Sequence, residues 1–187
     1  AFFYTTHPNE DPIKVIKKMK QTDNFKFDEA NVMNELVYRN LSEDAKRQIC
    51  AWKYGGEYDL YNLPSYEEMQ VRQIGFMNPK SEKNYYGFWD ESILVGFVNI
   101  LEEKEEIFIG IGVNPDLCNK HYGQRMLSIT YEISKKLYPN KPLYLEVRTW
   151  NIRAIKCYQK AGFRIDGQAY ELTTGIGTGT FYRMIRE

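Results

Sequence analysis

The sequence predicts an α/β domain of the α+β kind, built on one mixed, mostly antiparallel sheet of about seven strands. Three observations predict it. Residues 85–113 read as three consecutive strands joined by short polar turns, which makes a meander. Tyr122, Met126, Ile129, Ile133 and Leu137 then recur at spacings of three and four, with the apolar strand LYLEV beyond them. Strand, helix and strand in that order form a parallel crossover. A second helix and two more strands, FRIDGQAYELT and GTFYRMIR, close the chain.

The elements follow in order. Residues 1–32 form an extension that precedes the domain at 33–187. Within it, Asp11 and Pro12 suit an N-cap and first helical position for IKVIKKMK. Ile13, Ile16 and Met19 share one face of that short helix, surrounded by lysines, a pattern that packs on this domain or docks on a partner. ELVYRN alternates as a strand, and Ser42 then caps a helix with acidic residues in its first turn. Trp52, Tyr54, Tyr58 and Tyr61 crowd around Gly55 and Gly56, which reads as a helix end and an aromatic loop. Pro64 and Ser65 start a short helix to about Ile74, and Asn78, Pro79, Lys80 and Ser81 end it. YYGFWD and ILVGFVNIL form a hairpin whose second strand, apolar on both faces, is central. IFIGIGV is another buried strand, stopped by Pro115. The helix from Tyr122 runs to about Tyr138. The helix from Asn151 to about Lys160 is closed by Gly162 as its C-terminal glycine.

Composition narrows the function classes. At 187 residues the chain is long enough for one sizeable core. No apolar run approaches the roughly 20 residues that span a bilayer, so no membrane partner is expected. Lys plus Arg equals Asp plus Glu at 25 each. No global field therefore attracts nucleic acid, and none is expected as a partner. Cys50, Cys118 and Cys157 are scattered without disulfide or metal spacing, which suits a reducing compartment and leaves no metal site. With no secretory leader at AFFYTTHPNED, a cytoplasmic location is expected.

The chemistry concentrates in residues 143–163, LYLEVRTWNIRAIKCYQKAGF, where Glu146 sits in the strand, Asn151 opens the helix and Tyr158 lies on it. Upstream, the helix entry at Tyr122 and Gly123 offers unpaired backbone amides, the physical basis for holding a phosphate. Cys157 is turned to a different helical face from Tyr158 and has no histidine nearby in sequence, so it reads as packing and not as a nucleophile.

Taken together, IGIGVNPDLCNKHYGQRML and LYLEVRTWNIRAIKCYQKAGF resemble the GNAT superfamily of acyl-CoA-dependent N-acyltransferases. The likeness covers roughly four-fifths of the chain. LEVRTWN, Ala154, Tyr158 and Gly162-Phe163 are particularly similar to ribosomal-protein alanine acetyltransferases. The resemblance implies helices on both faces of the sheet and a splayed parallel strand pair. It implies acetyl-CoA as co-substrate, no metal, and a small-molecule or peptide amine as acceptor. Ile111, Gly112 and Val113 would then pair with the pantetheine arm, with Asn151 and Ala154 on the opposite wall. The loop Cys118, Asn119, Lys120, His121, Tyr122, Gly123 and Gln124 would hold the pyrophosphate. The family's loop has Arg or Gln, two residues, Gly, one residue, and Gly or Ala; those positions here hold Cys118, His121 and Gly123. Histidine takes positive φ less readily than glycine.

The resemblance makes Glu146 the general base, against a bland alternative as a strand-edge charge paired with Arg148 or a lysine. It makes Tyr158 the acid toward the CoA sulfur and contact to the cofactor, against a tyrosine packed in the core. Trp52, Tyr54, Tyr58 and Tyr61 fall where the acceptor wall would be, or else belong to an aromatic core. A catalytically degenerate module of the same fold, binding CoA or a partner, is the alternative function. A homodimer through an edge strand is one assembly such a fold allows.

Overall fold

The computed structural model describes residues 35–187, and the helix expected at IKVIKKMK, with the rest of the 1–32 extension, lies outside the described residues. Strand β1 (Val37–Asn40) leads into α1 (Glu43–Ala51), where the Ser42 side chain accepts from the Ala45 amide as N-cap. The aromatic stretch forms a 3₁₀ turn over Gly56–Tyr61. Helix α2 (Tyr66–Arg72) is capped by Ser65 and ends two residues before Ile74, because Gln73 adopts a left-handed conformation at φ 50°.

The predicted meander is present as β2 (Tyr85–Asp90), β3 (Ile93–Glu102) and β4 (Ile107–Val113). Helix α3 (Tyr122–Leu137), β5 (Leu143–Arg148) and α4 (Ile152–Lys160) follow. The stretch FRIDGQAYELT is two strands and not one: β6 (Arg164–Ile165) and β7 (Tyr170–Thr174), both pairing with β8 (Gly177–Arg186). Gly167 at φ 80° breaks it, and Asp166 just before is tied to Arg183 of β8. The sheet therefore has eight strands, ordered β1-β2-β3-β4-β5-β8-β6 with β7 also on β8. Among the described residues only β4–β5 is parallel.

Helices cover both faces of the sheet. On one, Met126, Leu127 and Ile133 of α3 and Ile155 of α4 meet Val98, Ile107, Ile109, Leu143, Leu145 and Val147. On the other, Ile49 of α1 and Met69 of α2 pack with Phe76, Trp89 and Leu94. Side chains alternate across each strand, so burying Leu143, Leu145 and Val147 toward α3 and α4 turns Tyr144, Glu146 and Arg148 to the opposite face. That pleat decides where the polar residues of β5 go. Among the described residues no helix is long and apolar enough to cross a membrane.

Candidate active site

The parallel ladder between β4 and β5 holds only at Ile107↔Leu143 and Phe108↔Tyr144. Both strands continue on their other neighbours, β4 along β3 as far as Val113 and β5 along β8 as far as Arg148. Each is thus fixed on one side while the two diverge, leaving a wedge. The Asn114 amide donates to the Val95 carbonyl at 2.9 Å, so the alternation of an antiparallel pair turns the backbone groups of Ile111 and Val113 into the wedge. A cavity of about 1030 Å³ opens there.

One end of the cavity is formed by the loop before α3. Asn119 and His121 both adopt φ 64°, so histidine supplies the left-handed conformation for which glycine would be expected. His121 occupies the N-cap position of α3 without a side-chain cap, and the first intrahelical bond runs from Arg125 N–H to the His121 carbonyl. The amides of Tyr122, Gly123 and Gln124 precede that bond and have no intrahelical acceptor. A Cβ on Gly123 would sit 2.9 Å from Cys157 Sγ, so glycine is needed here for close approach of α3 to α4. This end fits an anionic group: donors at the start of a 16-residue helix, with Arg153, Lys156 and Lys160 of α4 lining the same cavity.

Of the loop residues singled out from the sequence, Cys118, Asn119, His121, Tyr122, Gly123 and Gln124 line the cavity and Lys120 does not. The basic groups come instead from α4, at spacings of three and four that mark one helix face. That signal was present in the sequence. Tyr122 is further fixed by donating to Asp90 Oδ2 at 2.7 Å. Gly112 packs its bare backbone under the Phe97 ring.

Tyr158 projects from α4 into the cavity, half-buried, and its hydroxyl makes no hydrogen bond among the described residues. Burial pushes that hydroxyl well above the ordinary tyrosine range, with smaller upward contributions from Cys157, Tyr61 and Tyr54. Burial likewise raises the Cys157 thiol, which keeps it protonated and unsuited to attack. Glu146 enters from β5, and its Oε1 accepts from the Tyr170 hydroxyl at 2.5 Å. The ion pair with Arg148 considered from the sequence is absent, and no cation of the described residues stands within 4.0 Å of Glu146. Its cross-strand neighbour Arg183 is committed to Glu106 and Asp166.

Asn151 is buried and caps α4, accepting from the Ala154 amide at 3.1 Å while donating to Tyr61 Oη at 3.3 Å. It therefore couples α4 to the aromatic turn. In that turn Trp52, Tyr54 and Tyr61 line the cavity, whereas Tyr58 packs on Trp150 and under Arg153 instead. Tyr54 donates to the Val113 carbonyl at 2.7 Å, closing off one backbone acceptor of β4. Sequence reasoning missed Tyr170, Arg148 and the rings of Phe97, Phe108 and Phe181. They reach the site through strand register, which no local pattern encodes.

Four tyrosines at or beside the site hold their protons tightly. Burial raises Tyr54, Tyr158 and Tyr170 above the ordinary range, and burial with the Glu103 contact pushes Tyr144 up to about 12. Below the unfolded value near 10 both states are protonated, so the stabilisation is complete. As pH rises past that value the unfolded chain ionises first and stability falls. The urea midpoint is expected to drop between pH 9 and pH 11, and less steeply in Tyr158→Phe. Identical slopes in the two proteins would refute a buried, protonated Tyr158.

The acetyltransferase (GNAT) family profile matches residues 46–163. No curated protein sequence matches the chain. Among solved structures, it is similar to spermidine N-acetyltransferase from Vibrio cholerae in complex with CoA and spermine. That match has 17% identity and a TM-score of 0.65, and covers 81% of this chain and 95% of the other. An acetyltransferase of the GNAT family from Streptococcus pneumoniae gives 23% identity, TM-score 0.59 and coverage of 81% and 98%. The ribosomal-protein alanine N-acetyltransferase from Escherichia coli gives 18%, 0.56, and 80% and 92%. At these identities the likeness is one of fold, and it agrees with the mixed sheet and its single parallel pair. The profile spans more than half of the residues, and with it the chain belongs to the acetyltransferase (GNAT) family and is an enzyme of N-acetyltransferase type.

Proposed function

We propose that the enzyme uses acetyl-CoA to acetylate a primary amine of a small molecule or peptide, with Glu146 as base and Tyr158 as acid. The observation that carries this is the wedge: its ladder stops after two residue pairs, and the cavity it opens is lined by Glu146 and by Tyr158. The solved neighbour bound to CoA and spermine supports both the donor and an amine acceptor.

Acetyl-CoA would supply a thioester-activated acetyl group, with its phosphates met by the α3 amides and by Arg153, Lys156 and Lys160. Backbone groups of Ile111 are available for the pantetheine arm, next to Gly112 and Val113, while Asn151 and Ala154 stand on the α4 side. An alkylamine is mostly ammonium at neutral pH and must lose a proton before it can attack. Glu146 Oε2, which no described residue hydrogen-bonds while Tyr170 holds Oε1, takes that proton directly or through water. Tyr158 Oη keeps its proton at neutral pH and donates a hydrogen bond where negative charge develops on the departing sulfur, an interaction strengthened by exclusion of water. Tyr170 is a positioning residue for the base.

Calorimetry with acetyl-CoA and a thiol-release assay over an amine panel test this. Micromolar binding and turnover with at least one amine are expected. No binding of acetyl-CoA would remove the proposal.

A further inference from the structure

Arg148 is the unexplained charge of the site. It lies at the end of β5, is only 8% exposed, and lines the cavity. No carboxylate of the described residues approaches within 4.0 Å. Among the described residues its Nη1 and Nη2 reach only the Thr178 and Gly177 carbonyls, both at 3.4 Å, and its buried Nε has no partner. The guanidinium lies against the bare backbone of Gly179 and 5.0 Å from the Phe181 ring centroid. Long bonds to neutral carbonyls do not neutralise a buried cation, and buried charges are ordinarily paired. The charge is thus unmatched within the described fold, and it lines the cavity.

We propose that Arg148 receives a carboxylate of the acceptor, so that the enzyme acetylates an amine that also carries an acidic group. This rests on the acetyl transfer proposed above and names the class of its acceptor. Glu146 and Arg148 share one face of β5 two residues apart, about 7 Å along the strand at the usual rise. An amine delivered to Glu146 and a carboxylate delivered to Arg148 can therefore belong to one small molecule. The planar guanidinium offers paired donors matched to the two oxygens of a carboxylate. Phe97, Phe108 and Phe181 supply apolar walls of the same cavity, which the β7–β8 turn also lines at Gly175 and Ile176. Aromatic walls around one base and one cation suit a short amino acid better than a polycation, which would meet Arg148 with like charge.

The test uses amines matched except for the acid: alanine against alaninamide, and 4-aminobutanoate against butylamine. In the wild type, kcat/KM is expected to favour the acid of a pair by tenfold or more. In Arg148→Met the preference is expected to fall to near unity while the uncharged amine keeps its rate within about threefold. Arg148→Lys, which keeps charge but loses the planar fork, is expected to fall between. No preference for either acid in the wild type overturns the proposal. So does an equal loss for acid and uncharged amine in both variants, since that marks a residue that merely ties β5 to the β7–β8 hairpin. Binding of N-acetylalanine and N-acetyl-4-aminobutanoate, followed by NMR without turnover, separates the two proposals. Acetyl-CoA binding by calorimetry reports on the donor half alone. Product binding that is present in the wild type and lost in Arg148→Met sustains the role of Arg148 even if transfer fails, and no binding to the wild type overturns it.

Discussion

Tyr158→Phe is expected to lower kcat by about two orders of magnitude, the lower range for loss of a positioned proton donor, while leaving the fold intact. The hydroxyl has no protein acceptor among the described residues, so removing it strands no buried partner. The ring stays and continues to pack against the core around α4. Stability is therefore expected to change by less than about 1 kcal/mol. Acetyl-CoA affinity, which the proposal assigns to the α3 amides, the α4 cations and the β4 backbone, is expected to stay within about threefold. The contrast between kcat and binding is what identifies a donor used only as charge develops on the leaving group. Loss of acetyl-CoA affinity in parallel with kcat would instead assign Tyr158 to the cavity wall.

Glu146→Gln is expected to lower kcat/KM by about 10²- to 10³-fold. Glutamine keeps an oxygen for the Tyr170 hydroxyl, so the contact at 2.5 Å loses its charge but not its acceptor, and the protein remains folded. The deficit is expected to shrink as pH rises toward the acceptor's own pKa, because an amine already deprotonated in solution no longer needs the base. Tyr170→Phe supplies the comparison. It leaves the carboxylate in place but unheld, and a loss near tenfold is expected from misplacement alone. A deficit in Glu146→Gln that is the same at pH 7 and pH 10 would contradict proton removal by Glu146.

How much of this was legible in the sequence follows from the range of the interactions. Helix α3 was read almost to the residue because its apolar side chains repeat every three or four positions against one core. The meander and the β4–α3–β5 crossover followed from short apolar runs bounded by polar turns. The division between β6 and β7 was not legible, because nothing local distinguishes a strand from two strands sharing a partner until Gly167 is seen at φ 80°. Glu146, Asn151 and Tyr158, which the structure brings to one cavity, could be singled out because they sit within one short strand and helix. Tyr170 was not, since its contact to Glu146 depends on β7 and β5 both lying along β8. The loop before α3 was the weakest part of the pattern, with His121 where glycine is usual. The backbone resolves this by holding His121 and Asn119 in the left-handed conformation. Left-handed backbone is thus present where the family pattern has glycine, and the basic groups lining the cavity come from α4.

The central claim is that one wedge brings donor and acceptor between Glu146 and Tyr158. A crystal structure with CoA bound tests it most directly. The pantetheine arm is expected along β4 between the splayed strands, the pyrophosphate at the amides of Tyr122 to Gln124, and the sulfur within about 3.5 Å of Tyr158 Oη, the range of a hydrogen bond to sulfur. CoA bound outside the β4–β5 wedge, or a sulfur out of reach of Tyr158, would contradict it.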